Sequence, residues 1–177
     1  MTDHLDTAFR AAASALRDVV TPAVDPANPL AREQLQLVIG WLDFARERLP
    51  FLHDRNRFEL SAHAGMGDAV LAALGEGGDA GLSMAIDHAR KILSDAAAGT
   101  AAIVAAANRL QDSIAAVVRR AADLPAETCR AVEKSIVVHS KCILDAQRVW
   151  FLPQSVEPEP DKMPSLQEVL LIAADRD

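Results

Sequence analysis

Apolar residues along the chain recur at intervals of three and four. Leu5, Phe9, Ala12, Leu16 and Val19 form a first stripe, and Ala31, Leu35, Val38, Leu42, Ala45 and Leu49 a second. Leu60, His63, Gly67, Val70 and Leu74 follow in the same phase, with one polar member. Leu82, Ile86, Ala89, Leu93 and Ala96 lead into Ile103, Ala107, Leu110, Ile114, Val117 and Ala121. The last long run is Cys129, Val132, Ile136, His139, Ile143, Ala146 and Trp150. Alternation at period two persists nowhere, so the pattern predicts an all-α chain, an up-and-down helical bundle of roughly five to seven helices.

Helix punctuation supports these divisions. Thr21 to Pro29 contains three prolines and ends the first helix. Asn28-Pro29 supplies a capping side chain and a proline at the first helical position. Pro50 either starts a new helix or kinks one. Gly75 to Gly81 reads as a loop, Asp123-Leu-Pro125 as a helix start and Pro153 as a stop. The stepping from Leu82 to Ala121 passes Thr100 without losing phase, which favours one helix of about 40 residues and 60 Å. A break at Gly99-Thr100 is the alternative, because glycine within a helix costs about 1 kcal/mol relative to alanine. Residues 1–152 are expected to form the bundle, 153–164 an acidic proline-rich linker, and 165–177 a short docking helix and tail. Ser165-Leu-Gln-Glu168 is a capping box, so that helix should run to about Ala174 and dock through Leu166, Val169, Leu170 and Ala173.

Composition narrows the function. The chain of 177 residues is 50% apolar and carries a net charge of −7, of which residues 153–177 contribute −4 (six acids, two bases). No lysine or arginine cluster stands clear of acids, tyrosine is absent and aromatics make up 4%. A nucleic-acid partner needs a basic footprint, and single strands need stacking rings, so none is expected. The first residues, Met1-Thr-Asp-His-Leu-Asp, have no basic or apolar signal character, and the uncharged stretch Ala96–Ala107 is too short for a bilayer, so no membrane association is expected. Cys129 and Cys142 fall about 20 Å apart on one helix and cannot pair with each other. They read as buried, inert thiols in a reducing cytoplasm.

Candidate chemistry is sparse. Glu59 and His63 share a helix face, but a dinuclear carboxylate bundle requires a Glu-x-x-His pair on each of two helices and further glutamates, which are missing. No metal, cofactor or catalytic residue is assigned. His63, His139 and Thr100 all fall in core phase on different helices, so together with Glu59 they could line an interior polar pocket for a small ligand. The competing reading gives each histidine a backbone or Ser/Thr partner, so that it merely specifies helix register. Arg46, Arg48, Arg55 and Arg57 surround Pro50, but Asp43, Glu47, Asp54 and Glu59 cancel their charge, which favours a salt-bridged surface.

Leu37, Trp41 and Phe44 add a second apolar stripe beside Leu35, Val38 and Leu42. A helix that is apolar over so broad an arc is either deeply buried or part of a subunit interface. A homodimer is the favoured reading, since two-fold dimers are the commonest oligomers. The run Ala15-Leu-Arg-Asp-Val-Val-Thr-Pro-Ala-Val24, followed by Arg32-Glu-Gln-Leu-Gln-Leu-Val-Ile39, adds a family likeness. Residues 8–50 resemble small helical proteins and domains that accompany aminoglycoside-phosphotransferase-like kinases, in which a helix ends in a similar L-x-x-x-V-x-P-A-L phrase. The resemblance implies a helical accessory or interaction role and brings no catalytic motif. The sequence therefore points first to a non-catalytic interaction protein with a possible protein partner. An enzymatic or ligand-binding bundle around His63 and His139 is the alternative, and a metal-binding bundle comes last.

Overall fold

A computed structural model describes residues 2–75, 78–121 and 123–171. Among these residues the chain is all helical, with no strand. Helix α1 (Thr2–Ala15) continues through a π turn (Leu16–Val20) into the short α2 (Thr21–Ala23). The remaining helices are α3 (Pro29–Arg48), α4 (Leu52–Leu74), α5 (Ala80–Ser94), α6 (Thr100–Ala121), α7 (Ala126–Trp150) and α8 (Leu166–Leu171). The π turn has a local cause. The ring of Pro22 excludes a regular bond to the carbonyl four residues earlier, and the backbone widens just before it. Thr21 donates from both its backbone N–H and its hydroxyl to Leu16 O, the latter at 3.0 Å.

Asn28 caps α3 by accepting from Ala31 N at 3.1 Å, with Pro29 at the first helical position. Pro50 follows the end of α3 at Arg48 and precedes α4. It sits in a single 3₁₀ turn, Leu49–Phe51, so Pro29–Leu74 forms one helical run of 46 residues. The 40-residue helix expected at Leu82–Ala121 is instead two helices. Asp95 leaves helical geometry at ψ 104°, its carboxylate accepts from Ala97 N at 2.8 Å, and Ala98 N returns to Asp95 O. Two side chains of α4 hold this turn from outside. Arg57 donates to Leu93 O at 2.5 Å, satisfying a carbonyl at the end of α5, and His53 bonds to the Thr100 hydroxyl at the start of α6. These partners are more than thirty residues away in sequence, so helical phase alone carried no sign of the break.

The chain divides into two compact units, Met1–Leu52 with Trp150–Asp161, and His53–Val149 with Lys162–Asp177, whereas the sequence suggested boundaries near 152 and 164. In the second unit α4, α5, α6 and α7 share a core built on Leu60, Val70, Leu82, Ile86, Ile103, Leu110, Val117 and Val132. Gly67 is tightly packed. A Cβ there would lie 2.9 Å from Ile86 Cγ1 and 3.5 Å from Leu110 Cδ1, so α4 meets α5 and α6 where it has no side chain. Helix α6 is long and apolar enough to cross a membrane by length and composition, which the shorter stretch Ala96–Ala107 did not suggest. Its seven buried residues, from Ile103 to Ala121, face this core.

The capping box at the last helix forms as expected. Ser165 N donates to the Glu168 carboxylate at 2.7 Å, and Glu168 N donates to Ser165 Oγ at 3.2 Å. The Ser165 hydroxyl, which also donates to the Glu168 carboxylate at 2.8 Å, and then the Ser165 N–H hold that carboxyl below the usual range. Leu170 is buried. Ala173 and Ala174, also expected in this helix, lie outside the described residues.

Asp79 is the most connected cap. Its carboxylate accepts from Leu82 N at 2.7 Å and from the Arg120 guanidinium. The Leu82 N–H first, and Arg120 second, hold its pKa below the usual carboxylate value. A depressed folded-state pKa stabilises the fold above the unfolded value of about 4 and loses that contribution as pH falls through the folded value. Asp79→Asn preserves an N-cap acceptor while removing the charge. It should cost less than about 1 kcal/mol at neutral pH, and the gap to wild type should shrink as urea titrations move from pH 7 to pH 3. A gap that stays constant with pH would show that the charge contributes nothing.

Candidate functional site

A groove of about 640 Å³ in the second unit is lined by α6 and α7, with His63 and Met66 of α4. Ile114 and Val118 of α6 and Ile136, Ile143 and Leu144 of α7 supply most of its wall. His63, Gln111, Arg119, Ser140 and Gln147 are the polar members. Helical spacing accounts for the lining, because Ile136, Ser140, Ile143 and Gln147 recur on one face of α7.

His63 sits half-buried in this groove with both ring nitrogens engaged. Nδ1 lies 2.6 Å from Glu59 O and Nε2 lies 3.2 Å from Gln111 Nε2. A carbonyl only accepts, so Nδ1 carries the proton and Nε2 accepts from the Gln111 amide. The imidazole therefore has no spare lone pair for general-base chemistry or for a metal. Ser140 donates its hydroxyl to Ile136 O at 2.7 Å, so it is not aligned as a nucleophile.

The four residues singled out from sequence do not meet at one point. Glu59 and His63 come together only through the Glu59 backbone carbonyl, and the Glu59 carboxylate pairs with Arg55 at 2.9 Å. Thr100 lies at the far end of α6 from Gln111, about 16 Å along the helix, and bonds to His53 at 3.2 Å. His139 turns Nδ1 onto Ser135 O of its own helix at 2.9 Å and is not among the groove residues. The interior polar layer that the core phase suggested does not form. No polar or charged residue is buried among the described residues, and each of the three stripe members is only partly covered. Helical phase located the stripes, but half-turn differences decide whether a side chain ends in a core or at its rim.

The arginines near Pro50 also resolve into separate structural contacts. Arg46 pairs with Asp6, Arg48 donates to Trp150 O at 2.8 Å, Arg55 pairs with Glu59, and Arg57 holds the end of α5. Burial lowers the Arg48 pKa against the opposing effect of Glu47. The cysteines depart from expectation, since Cys142 is exposed and Cys129 only half-buried. Desolvation and the neighbouring Glu133 raise the Cys129 pKa, which makes it a poor thiolate. Among the described residues no cluster of three or more His, Cys, Asp or Glu side chains could hold a metal ion. No family model, curated protein or solved structure matches this chain.

Proposed function

We propose that this protein acts by contact rather than by catalysis, as a helical interaction or accessory protein of the cytoplasm. The observation that carries this reading is the first unit's surface. Among the described residues, four buried apolar side chains, Ala13, Ile39, Phe44 and Trp150, lie in that unit, against ten of the exposed large ones. A helical hairpin that leaves more apolar bulk outside than inside needs another surface to cover it. The engaged ring of His63 and the scattered positions of Glu59, Thr100 and His139 support the non-catalytic part. Two unpaired cysteines, one of them exposed, favour a reducing compartment. The likeness of residues 8–50 to kinase-associated helical proteins points the same way.

A second reading, a small apolar ligand in the α6–α7 groove, draws on the groove's volume, which falls in the usual range for ligand sites. Native mass spectrometry of the untagged protein as purified, with metal analysis of the same sample, separates the two. The expected spectrum is a protein–protein complex with no added small mass. A retained organic molecule or metal would favour the second reading, and a bare single chain would overturn the first.

A further inference from the structure

We infer that the turn between α5 and α6 is a hinge that opens into one continuous helix over residues 80–121. Two copies of this chain then exchange halves across it, α4 and α5 of one packing on α6 and α7 of the other. The inference is independent of the first unit's surface and of the reading built on it. Asp95, Ala96, Ala97, Ala98 and Gly99 make the turn. Three of the five are alanine, the strongest helix former, and none has a positive φ. Gly99 has open space where a Cβ would stand, so the turn does not require glycine there. The apolar phase also runs straight through. At 100° per residue, the buried residues of α5 and α6 fall within about 160° of arc, one face of a helix about 60 Å long. Local sequence therefore favours helix where the fold has a turn.

Side-chain bonds keep the turn closed. In a continuous helix Ala97 N would donate to Leu93 O, four residues back. Here both groups are taken: Ala97 N donates to the Asp95 carboxylate at 2.8 Å, and Leu93 O accepts from the Arg57 guanidinium at 2.5 Å. His53 holds the Thr100 hydroxyl on the α6 side at 3.2 Å. Opening releases these bonds and puts the helix ladder in their place. It also bares Leu82 and Ile86 on α5, and Leu110 and Val117 on α6, which now share one core. The surface already shaped to cover each pair is the opposite half of a second copy. Within the second unit the core contacts between the halves re-form between chains, so closed monomer and exchanged dimer differ at the turn.

The test is refolding of the full chain from urea across the micromolar range, followed by sedimentation velocity, for wild type, Gly99→Ala and Ala96→Pro. Wild type should give a dimer fraction that grows with the refolding concentration. Gly99→Ala fits the closed turn and favours the open helix at both hinges of a dimer, so its dimer dissociation constant should fall about tenfold or more. Ala96→Pro should give monomer alone. Position 96 is the second of the turn closed by Ala98 N on Asp95 O, where proline is favoured, and Asp95 at ψ 104° already has the extended geometry a following proline requires. A proline there is incompatible with the continuous helix. Should that variant fail to fold, the kinetics of wild type decide, because exchanged halves separate only by unfolding the second unit. Isolated dimer should persist on dilution and revert when urea is raised toward the unfolding midpoint. A dimer that dissociates at once on dilution, or an Ala96→Pro variant that dimerises like wild type, overturns the exchange. So does a Gly99→Ala variant with no more dimer than wild type.

Discussion

Leu110→Ala should lower the stability of the second unit by about 3–5 kcal/mol, the largest effect of any single truncation in it. Leu110 is fully buried at the middle of α6 and shares its core with Leu60, Ile86 and Val117. The loss has two parts: the transfer free energy of the deleted carbons and the cavity they leave. The second part is governed by how far the neighbours can move inward. At Gly67 they have little room, because α4 already approaches with no side chain and Ile86 fills the space where a Cβ would stand. The cavity should therefore stay open, placing the cost in the upper part of the range for leucine truncation. Urea unfolding followed by circular dichroism measures it. Leu110→Met, which keeps most of the volume, should cost less than about 1.5 kcal/mol. Val137→Ala, at an exposed position of α7, should fall within about 0.5 kcal/mol of wild type. A Leu110→Ala loss as small as the Val137→Ala loss would mean that this core is not where stability resides.

The same residues show why one half of the fold was legible and the other was not. In α6 the sequence stripe Ile103, Ala107, Leu110, Ile114, Val117 and Ala121 is buried at every position. Its bulkiest residues, Ile103, Leu110 and Ile114, share that face, with Val104 and Val118 exposed beside it, so one phase dominates. In α1 and α3 the stripes misled. Ala13, not Ala12, is the covered residue of α1, while Leu5 and Val19 are exposed. In α3, Ile39 is buried and Val38 half-exposed. A helix with apolar residues on both sides admits more than one phase, and the choice depends on which neighbour comes to which side. The second stripe through Leu37 and Trp41 was visible from the start, and their exposure removes deep burial within the chain as its explanation.

The site was less legible because its meaning lies in side-chain ends. Core phase drew His63, His139 and Thr100 toward one another, whereas local chemistry separated them. A histidine on a helix can reach the carbonyl four residues back, and both His63 and His139 do so, at 2.6 and 2.9 Å. That bond satisfies the ring at its own helix and removes any need for a shared polar centre. Gln111, the second partner of His63, carried no motif and could be found only once α4 and α6 were in register.

Phe44→Ala should be the most damaging substitution in the first unit, at about 3–5 kcal/mol. Phe44 joins three other aromatic side chains of that unit. Trp41 meets its edge at 5.4 Å and 87°, Trp150 at 6.4 Å and 86°, and Phe151 stacks on it at 5.5 Å and 3°. Arg48 lies over the rings of Phe44 and Trp150 while donating to Trp150 O, so its position also depends on the cluster. Edge and stacked pairs contribute about 0.5–1.5 kcal/mol each beyond the area they bury, and one truncation removes three of them. With few other buried residues in this unit, nothing nearby can refill the space. Both tryptophans touch Phe44, so the effect has its own optical reading: near-ultraviolet dichroism should collapse and emission should shift to the red. Phe44→Leu should retain most of the stability and lose the dichroism, because it keeps apolar volume without a ring to orient its neighbours. If Phe44→Ala leaves both tryptophan signals as they are in wild type, this cluster does not organise the unit, and the face of α3 that it anchors would lose its rigid support for a partner.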